Sequence, residues 1–471
     1  MSDHRIERDT MGEMRVPADA LHGASTARAV DNFPVSFEPV PAEVIHAFGH
    51  LKAACARANR ELGKLDAKLA DAIIAASREV AEGKHDAHFP VDIYQTGSGT
   101  STNMNANEVI ANLANHRLGH GLGAKGKEGA VHGNDHVNMG QSSNDTFPAA
   151  MHIAAVVMIA RDLIPALERL HAELSDKAAR WDHIVKIGRT HLMDATPIRV
   201  GQVFSGYAAQ AEYAVIRASR ALKRLEENNP IGGTAVGTGI NTHPSFAAKV
   251  CTALSNELGA TFIEATNHFE AQAAKDSFVE AHGELKTIAV SLSKIANDIR
   301  HLGSGPRCGI FELMLPEIQP GSSIMPGKVN PVICESVIQV ACRVMGNDVV
   351  VSMSNFGGVG SIFELNVAMP VMIDAFLESA KLLSNVTNVF VDKLLKGLEV
   401  NEEQCRRLID QSLMMVTSLA PKIGYEKAAE LAKEAFKTGK TIRELARERK
   451  LAPEEELNDA LDPMKMTEPR A

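Results

Sequence analysis

The sequence predicts a mainly α-helical protein built around long central helices. Three observations lead there. Aromatic residues make up only 4% of the 471 residues while hydrophobic residues reach 45%. The core therefore rests on Ala, Leu, Ile, Val and Met, a composition suited to packed helices. Leu285, Ile288, Leu292, Ile295, Ile299 and Leu302 alternate steps of three and four, a heptad seam. Ile153, Val157, Ala160, Ile164, Leu167 and Leu174 recur with mostly similar steps, another helical face. A chain of this length exceeds one ordinary core and should divide into domains. Composition shifts suggest three: 1–140, 141–399 and 400–471.

Residues 1–140 read as mixed and mostly helical, with helices near 41–62 and 66–82 between polar loops. QTGSGTSTNMNANE at 95–108 is a turn-rich cluster of hydroxyls and amides leading into a helix. Its Ser, Thr and Asn either cap that helix or hold an anion, with Gly97 and Gly99 exposing backbone N–H groups. The central region opens with GQSSNDTFP at 140–148. There Asn144 or Asp145 is expected as N-cap, and Pro148 fits the first turn. The same helix N-terminus offers free N–H groups and partial positive charge to a carboxylate. Pro165 should kink or split the helix that follows. No uninterrupted apolar run of 18 residues is found, so no membrane span is expected.

GRTHLMDATP at 188–197 places His191 after the short apolar run IVKIG and before Pro197. On its residues alone, His191 is either structural or functional. Helices are expected over 198–228 and 371–395. GGTAVGTGINTHP at 232–244 is a glycine loop, either mobile or a string of turns. After Gly397 the chain turns charged, with shorter helices at 402–418, 425–437 and 441–449 and a polar tail, PMKMTEPRA.

The densest chemistry lies in GSSIMPGKVNP at 321–331. Gly321 and Gly327 free the backbone while Pro320, Pro326 and Pro331 restrict it, so the segment is a structured loop. Lys328 offers a point charge for an anion, Asn330 donors and acceptors, and Ser322 and Ser323 hydroxyls. It either closes over a ligand or caps the next helix. Asn330 as cap and Pro331 as first helical residue would put Glu335 one turn in, where an acidic side chain suits the dipole.

This loop, followed by Cys334-Glu335, resembles the signature loop of the fumarase/aspartase superfamily, and its PGKVNP form is most similar to class II fumarases. The resemblance runs from RIERDTMGEMRVPADALHGASTARAVDNFP at 5–34 to beyond residue 400. It implies the fumarase/aspartase-type fold and a homotetramer whose central helices form one core, with each active site built from three subunits. It also implies reversible hydration of fumarate to L-malate without metal or organic cofactor. By the same resemblance Ser322 removes the carbon-bound proton, His191 handles water with Glu335 orienting it, and Lys328 stabilises the carboxylate end. Ser98, Gly99, Thr100, Ser142, Ser143, Asn144, Thr190, Ser323, Val329 and Asn330 are implied substrate contacts. VHGND at 131–135 matches a second dicarboxylate site through His132, Gly133, Asn134 and Asp135. An arginine that some relatives carry three positions before the histidine is Gly129 here, and Gly133 stands where others have proline, which implies a second site that is weak or absent.

Two rivals remain at this point. Aspartate ammonia-lyase shares the fold and product, but typically carries QSTND and PAKVNP where this chain has QSSND and PGKVNP. A non-catalytic protein on a lyase scaffold is opposed by the joint presence of His191, Ser322, Lys328, Asn330 and Glu335. A net charge of −9 argues against nucleic-acid binding. In an acidic protein the few loop cations must concentrate positive potential for a dicarboxylate. The six cysteines show no CxxC pair or Cys/His ligand spacing, so reduced thiols in the cytoplasm are expected rather than disulfides, zinc or an iron–sulfur centre. No apolar or Arg-rich leader is evident at Met1-Ser2-Asp3-His4.

Overall fold

The structure, a computed structural model, describes residues 4–469. The first three residues and the last two of the polar tail lie outside the described residues. The chain groups into two compact units. One comprises Met1–Pro165, Ile216–Ala289 and Cys342–Ser384; the other comprises Ala166–Val215, Val290–Ala341 and Asn385–Ala471.

The chain begins with an antiparallel hairpin, β1 (His4–Asp9) and β2 (Gly12–Pro17), pairing Asp9 with Gly12. Helices α1 (Ala24–Asn32), α2 (Ala42–Glu61), α3 (Ala67–Ala81) and α4 (Thr100–Arg117) follow. The two helices expected near 41–62 and 66–82 are α2 and α3. Asp66 caps α3 by accepting from Lys68 N–H and Leu69 N–H. Gly49 lets α2 approach α3 closely, since a Cβ there would lie 2.4 Å from the Ala81 nitrogen.

The next helical run is α5 (Ser143–Met158), a π-helical turn (Ile159–Leu163) and α6 (Ile164–Arg180). The expected disruption at Pro165 takes the form of this widened turn. Proline cannot give an N–H to the carbonyl four residues back, and the extra residue absorbs the gap. Ser142, rather than Asn144 or Asp145, is the N-cap of α5, and Asp145 completes a capping box. Pro148 sits in the second turn, not the first. Residues 143–180 include an 18-residue window of mean hydropathy 1.6, although polar and charged side chains such as Asp145, His152, Arg161 and Asp162 interrupt this stretch. That window is 67% buried, as in the core helix of a helical protein.

Strands β3 (Val185–Thr190) and β4 (Met193–Arg199) form a second hairpin. Then come α7 (Val200–Glu226), α8 (Phe246–Leu258), α9 (His268–Ala273), α10 (Asp276–Leu302), α11 (Val332–Asn355) and α12 (Met369–Val389). The seam from Leu285 to Ile299 is buried on α10, while Leu302 at its end is half-buried.

The C-terminal helices are α13 (Glu402–Gln411), α14 (Ala420–Ile423), α15 (Tyr425–Thr438), α16 (Ile442–Glu448) and α17 (Glu454–Ala460). They enclose a small core around Ile409, Leu431, Leu445 and Leu457. The single helix expected over 402–418 is broken. Ser412 takes an extended conformation and accepts from Met414 N–H, starting a separate 3₁₀ turn at Leu413–Ser418.

Candidate active site

In the first unit, two helix N-termini meet through a chain of hydroxyls. Ser98 Oγ lies 2.8 Å from Thr100 Oγ1, which lies 2.8 Å from Ser143 Oγ. Thr100 begins α4 and Ser143 begins α5, so unpaired N–H groups of both helices gather beside three hydroxyls. The two glycines of TGSG have steric reasons. A Cβ on Gly97 would sit 1.7 Å from the Val367 carbonyl oxygen. Gly99 has φ 73°, and a Cβ there would enter the Phe147 ring at 2.0 Å. The cap-or-anion alternative is thereby narrowed. The α4 cap is Gly99, which makes no side-chain cap, and the hydroxyls bond to one another.

Asp145 anchors this corner. It is fully buried, and accepts from Ser142 N–H at 2.9 Å, Gly232 N–H at 3.0 Å and Thr234 N–H at 2.9 Å. Burial pushes its carboxyl upward, against the pull of these three donors. The glycine loop 232–244 is thus fastened to the start of α5, and Asn144 Nδ2 donates to its Ala235 carbonyl. Thr100, Ser142 and Ser143 line one cleft with Asn103, Gln141 and Asn134. Behind it lies Lys52, fully buried, donating to Asn103 Oδ1, Asn138 Oδ1 and Gln141 Oε1 at 2.8, 2.9 and 3.0 Å. Sequence reasoning missed Lys52, Asn103, Asn138, Gln141 and Asp145. For Lys52 a signal existed, because it stands between Phe48 and Cys55 on the apolar stripe of α2.

The 132–135 segment enters a π-helical turn (Gly133–Val137). His132 Nδ1 lies 3.1 Å from the Asp135 carboxylate, and His132 N–H donates to His136 Nδ1. His132, Gly133 and Asn134 line a second cleft together with Arg8, Lys125 and Asn107. The buried Asn107 amide has no hydrogen-bond partner among the described residues. Arg8 and Lys125 bring positive charge to this cleft, set against the carboxylates of Asp9 and Glu108 that line it too, and Arg8 itself pairs with Glu13.

In the second unit, His191 and Leu192 form the two-residue turn between β3 and β4. Both have positive φ, 58° and 64°, the geometry of a type I′ turn. Such backbone is costly for these residue types, and strained residues of this kind cluster at functional sites. His191 is exposed and makes no hydrogen bond among the described residues of this chain. The hairpin is held from below. Arg189, next to Thr190, forms a bidentate pair with Glu312 at 2.8 and 3.2 Å, and Lys186 reaches the same carboxylate at 3.1 Å.

The 321–331 loop is closed by its own bonds. Gly321 N–H donates to the Lys328 carbonyl at 2.8 Å, and Asn330 Nδ2 donates to the Gly321 carbonyl at 2.6 Å. Asn330 therefore stitches the loop and does not cap the next helix. That helix, α11, starts at Val332, with the Pro331 carbonyl accepting from Glu335 N–H. Ile324 N–H and Met325 N–H donate to Ser322 Oγ at 3.3 and 3.1 Å. Two donors thus already face the oxygen that an oxyanion would occupy. Ser323, Lys328 and Glu335 are exposed, and Val329 is half-buried. No bond joins His191 to Glu335 among the described residues of one chain. The sequence-predicted residues therefore fall into two groups: Ser98 to Asn144 in the first unit, Thr190 to Glu335 in the second.

Among the described residues no group of three or more His, Cys, Asp or Glu is arranged to hold a metal ion. The six cysteines are unpaired.

Comparisons with known proteins place the chain in a family. The model of a lyase family matches residues 12–346, and that of the fumarase C C-terminus matches 415–468. The class II fumarate hydratase of Corynebacterium glutamicum is 53% identical over 98% of this chain and 96% of its own length. The mitochondrial fumarate hydratase of Mus musculus is 51% identical, covering 99% of this chain and 91% of its own. Among solved structures, recombinant class II fumarase from Schistosoma mansoni superimposes with a TM-score of 0.94 at 38% identity, covering 99% of this chain and 100% of that one. A fumarate lyase:delta crystallin from Brucella melitensis bound to cobalt gives 0.93 at 40% identity, with coverage of 99% and 100%.

Proposed function

The chain belongs to the class II fumarate hydratase family, and from that premise we propose how its residues divide the work. It is a lyase of the fumarase fold that hydrates fumarate reversibly to L-malate, a step of the tricarboxylic acid cycle. In the dehydration direction a base takes the proton from the carbon next to one carboxylate. The electron pair moves into that carboxylate, giving an aci-carboxylate. It returns to form the double bond as the hydroxyl on the neighbouring carbon leaves with a proton, as water.

Ser322 is the carbon base in this proposal. A free hydroxyl is far too weak, so its oxyanion must be held by donors in a closed, water-poor loop. The observation that supports this is the pair of N–H groups on Ser322 Oγ. Lys328 and Asn330 stabilise the charge that collects on the carboxylate. His191 activates water, or protonates the leaving hydroxyl, with Glu335 orienting it as a carboxylate orients the histidine of a hydrolase triad. Ser98, Gly99, Thr100, Ser142, Ser143 and Asn144 hold the substrate through hydroxyls and helix ends. Thr190, Ser323 and Val329 complete the contacts.

The exposure of His191, Lys328 and Glu335 in one chain supports a homotetramer in which three subunits share each site. Three domains, with boundaries near 140 and 400, follow the same family plan. His132, Gly133, Asn134 and Asp135 are proposed as a weak second dicarboxylate site, where Arg8 and Lys125 face the carboxylates of Asp9 and Glu108 in the cleft that His132, Gly133 and Asn134 line. Unpaired cysteines support a reducing, cytoplasmic setting. One spectrophotometric assay tests the whole reading. Fumarate absorbance should change with L-malate, with aspartate giving no comparable signal, and EDTA should leave the rate unchanged. Turnover of aspartate in preference to malate would overturn it, and a rate lost in EDTA and restored by a divalent ion would overturn the cofactor-free part.

A further inference from the structure

Lys52 is a buried cation with no ion pair among the described residues. Its ammonium is held by three amide oxygens, from Asn103 on α4 and from Asn138 and Gln141 before α5. The network continues outward. Thr146 Oγ1 donates to Asn103 Oδ1 at 3.0 Å, Asn103 Nδ2 to Asn138 Oδ1 at 3.2 Å, and Asn138 Nδ2 to the Gln141 carbonyl at 3.2 Å. All three amides line the cleft that also holds Thr100, Ser142 and Ser143. One layer of amides therefore separates a buried positive charge from the cleft.

A charge without a partner in the interior is expensive. The nearby negative group, Asp145, already accepts from three backbone N–H groups. It makes no hydrogen bond or ion pair with the ammonium among the described residues, whose direct partners are all amide oxygens. A carboxylate seated at the N-termini of α4 and α5 adds negative charge on the far side of those amides. We propose that Lys52 is a positioning residue for dicarboxylate binding, ordering the amide floor of this cleft and giving it positive potential. The inference rests on the reading of the cleft as a carboxylate site.

It carries a pH signature. Burial lowers the Lys52 ammonium to about 8. The ionisable groups that act on it are the Cys55 thiol on its own helix and Asp145 from α5. Burial pushes the Cys55 thiol up, so it stays neutral. What α4 and the 138–141 segment present to Lys52 is amides. A dianion bound nearby favours the protonated ammonium, so binding just above pH 8 should take up a proton.

The test uses succinate, a dicarboxylate without the reacting double bond, on the whole enzyme. Lys52→Met and Lys52→Gln should raise KM for fumarate and Kd for succinate about tenfold or more, with kcat falling less. A lysine that merely holds the fold would lower the active fraction and leave KM unchanged. Calorimetry at pH 8.5 in buffers of different ionisation enthalpy should detect proton uptake by the wild type and none by Lys52→Gln. If the variants fail to fold, the wild-type titration decides. Uptake at pH 8.5 that vanishes at pH 6.5 supports the proposal, and no uptake overturns it. Thr100→Val and Ser143→Ala separate the two levels of inference. If they weaken succinate binding and Lys52→Met does not, the role of Lys52 falls alone. If none of these changes matters, the carboxylate reading of the cleft falls with it.

Discussion

His191 stands at a strained two-residue turn, and its imidazole makes no hydrogen bond among the described residues, so its chemistry depends on what meets it there. His191→Asn should lower turnover about 100-fold or more, the usual scale for a general acid or base. Glu335→Gln should act in the same direction and less. Steady-state kinetics of both single variants and the double variant should show non-additive losses, because an orienting group matters only while the oriented group is present. Independent, additive losses would separate the pair. Ser322→Ala should remove most turnover while calorimetry finds succinate affinity nearly intact, since Lys328 and Asn330 remain. Near-normal turnover would take Ser322 out of the mechanism. Turnover and affinity falling together would make it a binding group. The sequence singled these residues out as candidates because they sit in short motifs. Lys52 belongs to no motif, and its one signal, a place on the apolar stripe of α2, gives burial without naming its partners.

At the scale of elements, tight approaches set what each segment tolerates. Gly99→Ala puts a Cβ into the Phe147 ring at a left-handed backbone position, so the start of α4 must move. The expected outcome is a lower unfolding midpoint together with a higher KM, and an unchanged midpoint would mean that the loop adjusts freely. Lys275 offers a pH test on α9. Its buried ammonium donates to the carbonyls of Ala271, Gln272 and Ala274, closing the helix end. Burial lowers it to about 7, below its value of about 10.4 in an unfolded chain. Between those values the unfolded chain holds the proton that the folded chain releases. The contribution of this group to stability therefore rises with pH from about 7 towards about 10.4, and is lost as pH falls through 7. Unfolding midpoints of wild type and Lys275→Met, compared from pH 6 to 9, should diverge accordingly, and a constant difference would refute the shift. Helix existence was readable from periodicity, whereas caps and breaks were less so. Ser142 and Ser412 took roles assigned to neighbours or to none, because several hydroxyl and amide residues in a row offer competing caps and only the packed geometry selects one.

For the whole molecule, α11 gives the clearest lead. Met345, Val349 and Met353 are exposed at steps of four along it, and Phe356, one residue past its end, is exposed as well. A stripe of this kind calls for a partner. If the proposed homotetramer packs through this face, Val349→Glu should shift the mass measured by light scattering to smaller species, and activity should fall with it if subunits share sites. A more direct test mixes inactive chains. Unfolding and refolding His191→Asn and Ser322→Ala together should restore part of the activity that neither has alone. No recovery, with mixed tetramers demonstrated by mass spectrometry, would put His191 and Ser322 of a site on the same chain.

The sequence by itself determined the helical class, the long central helices and the family, and it named the residues proposed to carry the reaction. Each of these is written locally, in the spacing of apolar positions or within a motif of about ten residues. The tertiary structure decided what depends on distant neighbours. It buried Lys52 behind the cleft, joined Ser98, Thr100 and Ser143 into one hydroxyl chain, and turned Asn330 from a helix cap into the stitch of its own loop. Burial and hydrogen-bond choice are settled by packing between segments far apart in the chain, and no local pattern encodes which of several available partners a side chain will meet.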